Sequence, residues 1–201
     1  MYHKPTTITL FTLLLPLPAP VLATSMICYS PPTVPPLTND CFDLLAAIDY
    51  LSHLPFQQGP KDWGRRLPNT DISESLPKLY YFNDGTRPTF STCALELDAD
   101  PTDVWAVETF TLAKVGKAAG AIVDKCVEDH HMVGMATLGE TGKVQASVFR
   151  TERPMLRAAM AGAALAGGKK MGGGLWVVEG DAARRWQLRN ATLVKGTVEE
   201  S

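Results

Sequence analysis

The chain is poor in the features that define several large classes of protein. Its 201 residues include only four Cys, and 19 Lys and Arg nearly balance 21 Asp and Glu. So few cysteines exclude a densely disulfide-bonded scaffold, and a net charge of −2 gives no general reason to expect nucleic acid or an anionic membrane as a partner. Beyond the N-terminus, no apolar run is long enough to span a bilayer. An apolar content of 45% is that of an ordinary globular protein.

The common catalytic and cofactor motifs are also missing. There is no Gly-x-Ser-x-Gly elbow of a serine hydrolase. The stretch 162–170 resembles a phosphate-binding loop, but Gly168 stands where that loop requires Lys, and no strand is predicted before it. The glycines at 172–174 precede a predicted strand over 175–179, whereas a dinucleotide fingerprint follows its strand. We therefore assign no catalytic residue, no metal ligand and no cofactor from motifs.

Residues 1–23 predict an export signal. Lys4 gives a basic start, residues 10–15 form an apolar centre, and residues 21–23 resemble a cleavage site that ends at Ala23. The alternative is a membrane anchor, but an anchor needs about 20 apolar residues, and prolines at positions 16, 18 and 20 interrupt this one. The sequence thus predicts a secreted, extracellular protein whose mature chain has no membrane span.

All four cysteines lie after the predicted signal, at Cys28, Cys41, Cys93 and Cys126. An even number in an oxidising compartment favours two disulfides over free thiols or metal ligands. Three pairings are possible. We favour Cys28–Cys93 and Cys41–Cys126, because the second bond would join two predicted helices while the N-terminal segment crosses the sheet.

Hydrophobic periodicity predicts two helices and two hairpins. Apolar residues at helical spacing indicate a first helix from about Asp40 to His53, and the stripe that includes Trp105 and Cys126 indicates a longer one from Thr102 or Asp103 to Val127. The predicted hairpins comprise residues 79–82 with 90–98 around the turn Asn83-Asp84-Gly85, and residues 134–138 with 144–149. The polar stretch from Pro55 to Pro77 is predicted to be a long surface loop.

This order of elements predicts an α+β fold in which two helices pack on one face of an antiparallel sheet and disulfides stabilise the whole. Charge and composition change near residue 150. Residues 24–149 carry nine Lys and Arg against 16 Asp and Glu, a net charge of −7, whereas residues 150–195 carry nine against three, a net charge of +6. The predicted organisation is a signal peptide at 1–23, a disulfide-stabilised domain at 24–149 and a basic Ala/Gly-rich C-terminal extension at 150–201.

Three interpretations of this basic extension remain open. It docks on the acidic core, it is an arm that binds an anionic polymer or surface, or it is non-native sequence from an erroneous gene model such as a retained intron. A helix is predicted from Pro154 to Ala166, with mostly Ala available for burial. Asn190 begins the only glycosylation sequon, Asn190-Ala191-Thr192, and its modification would demonstrate both export and translation of the extension.

Two clusters of side chains are candidates for chemistry. Glu96 and Asp98 share one face of a predicted strand and could serve as paired carboxylates, although carboxylates in such places are usually solvated. The cluster of Cys126, Asp129, His130 and His131 suggests zinc, but an oxidised Cys126 could not bind it. We therefore interpret the two histidines as an exposed pair at a helix end.

Several motifs bear a family resemblance over residues 28–149. These are Asn39-Asp40-Cys41 at the start of a helix, the strand Ser91–Leu97, Asp103-Val104-Trp105, Lys125-Cys126-Val127 and the hairpin from Gly134 to Gly142. With them the chain resembles uncharacterised small secreted cysteine-containing proteins of filamentous fungi. It is more loosely similar to the necrosis-inducing fungal effector family, which has an Asp-Cys before a helix and a Thr-Cys-Ala strand. That family usually has a further cysteine after the position of Cys126, so its activity on host cells is not carried over.

The resulting expectation is a secreted, non-enzymatic interaction protein with an effector-like role. Its partner would be an extracellular protein or a cell-wall polysaccharide. An alternative is a small secreted hydrolase that uses paired carboxylates such as Glu96 and Asp98, and a third possibility is a wall-associated structural protein.

Overall fold

The computed structural model describes residues 25–31, 34–67, 71–83, 91–151, 169–171, 174–180 and 183. The strands are β1 Met26–Tyr29, β2 Lys61–Gly64, β3 Glu74–Ser75, β4 Lys78–Phe82, β5 Cys93–Ala99, β6 Glu108–Phe110, β7 Val133–Leu138, β8 Val144–Arg150, β9 Lys169–Lys170 and β10 Leu175–Glu179. The helices are α1 Thr38–Ser52 and α2 Leu112–Ile122; a π-helical turn, Val123–Glu128, continues α2, and a 3₁₀ helix, Pro55–Gln57, follows α1. The protein is α+β with a large antiparallel sheet, two helices and two disulfides.

Seven strands form the main sheet in the order β1-β7-β8-β5-β4-β10-β9, and every neighbouring pair is antiparallel. A second sheet of three short strands has the order β3-β2-β6. Within the described ranges, no helix combines the length and apolar character needed to cross a membrane.

The core lies where alternate strand residues meet both helices. Leu95 and Leu97 of β5 belong to one buried cluster with Ile48 of α1 and with Val115 and Ile122 of α2. The intervening residues of the sheet point to the other face, as the two-residue period of a strand requires. There, Leu79, Tyr81, Ala94, Val178 and Ala183 form a second, smaller buried cluster.

Several predicted elements are confirmed. Helix α1 differs from its predicted bounds by two residues at the start and one at the end, and β4 and β5 pair as expected. Strands β7 and β8 form the second predicted hairpin. The turn residues 84–85 of the first hairpin lie outside the described residues, as do residues 1–23, the predicted helix 154–166 and Asn190.

The predicted start of the long helix is wrong, because strand β6 lies where its first turns were predicted. Helix α2 begins at Leu112, where the Thr111 hydroxyl accepts a hydrogen bond from the Lys114 N–H at 3.2 Å. The preceding residues form β6, and Trp105, which we assigned to a buried stripe, is largely exposed. Val, Thr and Phe are frequent between 104 and 111, and such β-branched and aromatic residues favour strands, so local propensity prevailed over an apparent helical period.

The segment predicted as a surface loop, 55–77, contains two strands. β2 pairs with β6 and β3, and its Trp63 is buried although its neighbours are polar. The Trp63 indole stacks on Phe110 with ring centres 5.0 Å apart and donates to the Phe110 carbonyl at 2.9 Å. One large aromatic side chain therefore anchors this segment to β6.

The change of charge at residue 150 does not mark an edge of the sheet. β10 pairs with β4 along five residues, and its Leu175 and Val177 belong to the main core cluster. β9 in turn pairs with β10. The described parts of the basic extension are therefore part of the same sheet as the acidic segment.

The favoured disulfide pairing is wrong. The bonds are Cys28–Cys126 and Cys41–Cys93, and no cysteine is free. Strand β1 pairs with β7, so that Cys28 lies opposite Gly134. A Cβ on Gly134 would come 2.6 Å from the Cys126 sulfur, so this glycine makes room for the bond.

At the other bond, the Asp40 carboxylate accepts from the Thr92 N–H at 2.6 Å and aligns the start of α1 with the start of β5.

We expect non-reducing peptide mapping to recover Cys28 joined to Cys126 and Cys41 joined to Cys93. The Cys28→Ser/Cys126→Ser double variant should lose up to about 4.7 kcal/mol of unfolding free energy, because this bond closes a loop with a sequence separation of 98. Urea denaturation of the wild-type protein and the variant measures the loss. Recovery of a peptide that joins Cys28 to Cys93 would contradict the pairing.

The turn between β7 and β8 is held by the buried carboxylate of Glu108. It accepts from the N–H groups of Glu140 and Lys143, each at 2.9 Å, and from the Thr141 N–H and hydroxyl. Gly139, with φ of +88°, lets the backbone approach this carboxylate. Burial by itself would raise the pKa of Glu108, but these donors outweigh it and hold the pKa below its ordinary value.

Because the folded-state pKa of Glu108 is lowered, its contribution to stability is present above the unfolded-state pKa, near 4.5, and is lost as the pH falls further. We expect Glu108→Gln to lower the free energy of unfolding by about 1–3 kcal/mol at pH 7. It should also reduce the loss of stability between pH 5 and 3. Urea titrations across this range measure both effects, and an unchanged pH dependence in the variant would contradict this role.

Candidate functional site

A pocket of about 430 Å³ is lined by residues of the main core cluster, among them Leu51, Tyr80 and Leu112, and by charged side chains. Its lining comes from the end of α1, the 3₁₀ helix, β3, β4, β9, β10 and the start of α2. This volume falls within the range of about 300–1,000 Å³ that small-molecule sites occupy. We refer to it as the Lys78 pocket.

Lys78 lies in this pocket because of its register in the sheet. It is directly opposite Leu97 of β5, two residues before Tyr80, which is opposite Leu95. Side chains two residues apart on a strand share a face, so both Lys78 and Tyr80 point into the core. Only 5% of Lys78 is exposed. An ammonium buried to this degree requires compensating charge.

Two carboxylates provide that charge. The Lys78 ammonium contacts the Glu74 carboxylate and lies 2.7 Å from Oε1 of Glu179. Glu179 is directly opposite Lys78 in the pairing of β10 with β4. Lys61 completes the network, because its Nζ donates to Glu74 Oε1 at 2.7 Å. Two cations and two anions thus form a neutral network that ties β2, β3, β4 and β10 together.

Aromatic rings surround the same ammonium. Lys78 Nζ lies 5.5 Å from the centre of the Trp63 ring and 5.8 Å from that of Tyr80. Both distances are within reach of a cation–π attraction. The buried Trp63 thereby joins the small sheet to the network in the main sheet.

The environment shifts the pKa values in this network away from neutral pH. Burial would lower the pKa of Lys78, but the charges of the Glu179 and Glu74 carboxylates raise it overall. Burial would raise the pKa of Glu74, but the charges of Lys78 and Lys61 lower it overall. Burial raises the pKa of the Tyr80 hydroxyl. Lys78 therefore stays charged, Glu74 ionised and Tyr80 protonated across the physiological range.

The outer part of the pocket differs from this network. Arg66 and Lys169 are exposed side chains that line it, and Glu179 is about half exposed, with 48% of its side chain accessible. The ring of Phe56 also lines it and is 64% exposed. The floor of the pocket is the network around Lys78, whose charges balance one another. The rim is basic, because it is formed by Arg66 and Lys169, and it carries the accessible aromatic ring of Phe56.

The carboxylates that the sequence suggested lie elsewhere. Glu96 and Asp98 alternate with Leu95 and Leu97 on β5, so they are on the sheet face away from the Lys78 pocket. Both oxygens of Asp98 accept from Arg65 Nη2 at 3.1 Å. The Asp98 carboxylate is therefore engaged in a structural ion pair.

The candidate zinc ligands are not brought together. Cys126 is disulfide-bonded, and His130 and His131 are exposed just beyond the π-helical turn. Within the part of the chain that the structure describes, no three His, Cys, Asp or Glu side chains are grouped so that they could hold a metal ion.

Sequence reasoning missed the Lys78 pocket. Glu74 belongs to a predicted loop, Lys78 directly precedes the predicted strand 79–82, and Glu179 belongs to the basic extension. The available signal was the pattern Lys78-Leu79-Tyr80-Tyr81, in which a lysine shares a face with an aromatic residue of a buried strand. The carboxylate of Glu179 reaches Lys78 only because β10 pairs with β4.

Comparison of the chain with models of protein families, with curated proteins and with solved structures found no match.

We expect Lys78→Met to destabilise the protein by about 3–5 kcal/mol, because Glu74 and Glu179 would be left without the ammonium that they share. Replacing three of the four members together, with Lys78→Met, Glu74→Gln and Glu179→Gln, should recover part of the loss. The control is Lys117→Met on the exposed side of α2, which should stay within about 0.5 kcal/mol of wild type. Urea denaturation compares the variants; equal effects of Lys78→Met and Lys117→Met would show that the network contributes nothing.

Proposed function

We propose that this chain is a secreted, non-enzymatic interaction protein with an effector-like role, and that it binds an extracellular polysaccharide in the Lys78 pocket. Two disulfides fit an oxidising compartment, and the predicted export signal fits the same destination. The resemblance to small secreted fungal proteins supports the class. In this proposal, both helices cover one face of the sheet and form one wall of the pocket.

The observation that carries the proposal is the state of the ionisable groups in the pocket. General acid–base catalysis works best when a group has a pKa near the working pH, whereas the pKa shifts of Lys78, Glu74 and Tyr80 lead away from neutrality. A two-carboxylate glycosidase needs one carboxylic acid with a raised pKa. Glu74 has a lowered pKa and shares one ammonium with Glu179. Such a network is suited to fixed polar contacts with a ligand.

The shape of the site favours a saccharide over a protein as the partner. A stable protein interface covers about 800 Å² on each partner, whereas a concave site of about 430 Å³ encloses a small ligand or a short chain segment. Its lining offers donors and acceptors for hydroxyl groups beside the accessible ring of Phe56. A ring face and several hydroxyls are what a sugar presents.

The test measures binding and hydrolysis on the same polymers. We expect the wild-type protein to be retained on an acidic or a neutral wall polysaccharide without releasing reducing ends above the blank. Phe56→Ala should weaken retention about fivefold, because an aromatic contact of about 1 kcal/mol is lost. Tyr50→Ala, which removes an exposed aromatic residue of α1 outside the pocket, is the control and should bind as wild type.

Two outcomes would overturn the proposal. One is release of reducing ends by the wild type that disappears in Glu179→Gln or in Glu96→Gln/Asp98→Asn, which would establish a hydrolase. The other is absence of retention on every polymer, or equal retention of Phe56→Ala and wild type, which would remove the pocket as the binding site.

A further inference from the structure

The charges of the Lys78 pocket define the chemistry of its ligand more narrowly. We propose that the pocket binds a carboxylated sugar, a uronate unit, with its carboxylate held by Arg66 and Lys169 and its ring against Phe56. This inference rests on the proposed function and names the class of saccharide for that site.

The charges of the pocket are balanced at its floor but not at its rim. Lys78 and Lys61 are compensated by Glu74 and Glu179, so the floor of the pocket carries no net charge. Arg66 and Lys169 then remain as the other charged side chains of the lining. Neither forms an ion pair with any residue that the structure describes. In the part of the chain that the structure describes, the rim therefore carries two positive charges, and an anionic ligand would neutralise them.

The rim and the floor of the pocket suit different groups of one ligand. Among the lining residues that the structure describes, Glu179 is the one exposed carboxylate, and the Lys78 ammonium holds it at 2.7 Å. It would repel an anion close by but would accept hydrogen bonds from hydroxyl groups. A ligand that carries both an anionic group for the rim and hydroxyls for the floor satisfies both parts. The planar guanidinium of Arg66 can bind a carboxylate through two parallel hydrogen bonds.

Phe56 favours a ligand that has a ring. A phenylalanine on a surface exposes a large apolar area to water, and this ring is 64% exposed at the edge of a polar pocket. It can cover the C–H face of a sugar ring without competing for the hydroxyls. A small inorganic anion would use the two cations but would leave this ring uncovered.

The experiment is calorimetric titration of the oxidised full-length protein at low salt with an oligogalacturonide and with its fully methyl-esterified form. The two probes share rings and hydroxyls and differ in charge. We expect the acidic oligomer to bind about tenfold to a hundredfold more tightly than the ester, since hydrogen bonds between charged groups are lost in the ester. Raising the ionic strength should weaken binding of the acidic oligomer only.

Two charge-reversal variants locate the contact. Arg66→Glu/Lys169→Glu should abolish the preference for the acidic oligomer, while Lys114→Glu/Lys117→Glu, with the same change of net charge on the exposed side of α2, should keep it. Phe56→Ala should weaken both oligomers, and Phe56→Trp should restore them. Thermal unfolding of each variant checks that the fold is intact.

The outcomes separate this inference from the proposed function. Equal affinity for the two oligomers, with loss of both in Phe56→Ala, would overturn the uronate assignment and leave a saccharide-binding pocket. Equal binding of oligoglutamate would overturn the saccharide part of the assignment, and binding that survives in Arg66→Glu/Lys169→Glu would place the anion elsewhere. Failure to bind any saccharide would overturn the proposed function as well.

Discussion

The need to compensate one buried charge organises much of this molecule. A charged lysine that is 5% exposed on a strand facing the core is costly unless anions compensate it, and two carboxylates do so at Lys78. Glu74 is four residues away in sequence, whereas Glu179 comes from the far end of the chain. The pairing of β4 with β10 is therefore specified by charge as well as by the apolar residues Leu175 and Val177.

The second constraint is covalent and acts within the same buried cluster, because Cys41, Cys93 and Cys126 belong to it together with Tyr80. Cys28–Cys126 fastens β1 and the end of the long helix to each other, and Cys41–Cys93 fastens the start of α1 to the start of β5. The network at Lys78 and the two disulfides thus join elements that are distant in sequence. Such long-range contacts carry a large loop-closure cost, which a covalent bond reduces in the unfolded chain.

Sequence patterns predicted the helices and strands better than they predicted the contacts between these elements. The apolar periodicity around Leu44, Ile48 and Leu51 was enough for α1, and the turn-separated alternating runs were enough for both hairpins. The disulfide pairing depends on the position of β1 beside β7, and no local sequence pattern predicts that position. A glycine at 134 was the relevant signal, because a side chain there would displace the Cys126 sulfur, but its meaning is visible only with the strands in register.

The candidate site was missed for a related reason. Its charged groups are ordinary in sequence, and only burial and pairing give them a role. The same geometry bears on the basic extension, since Lys169 lines the pocket and Glu179 neutralises Lys78. An unrelated translated segment would have no reason to alternate apolar residues toward the core and then place a carboxylate opposite a buried lysine. In the residues that the structure describes, β10 thus matches β4 both in its apolar residues and in its charge, and this match explains how two segments of opposite net charge share one sheet.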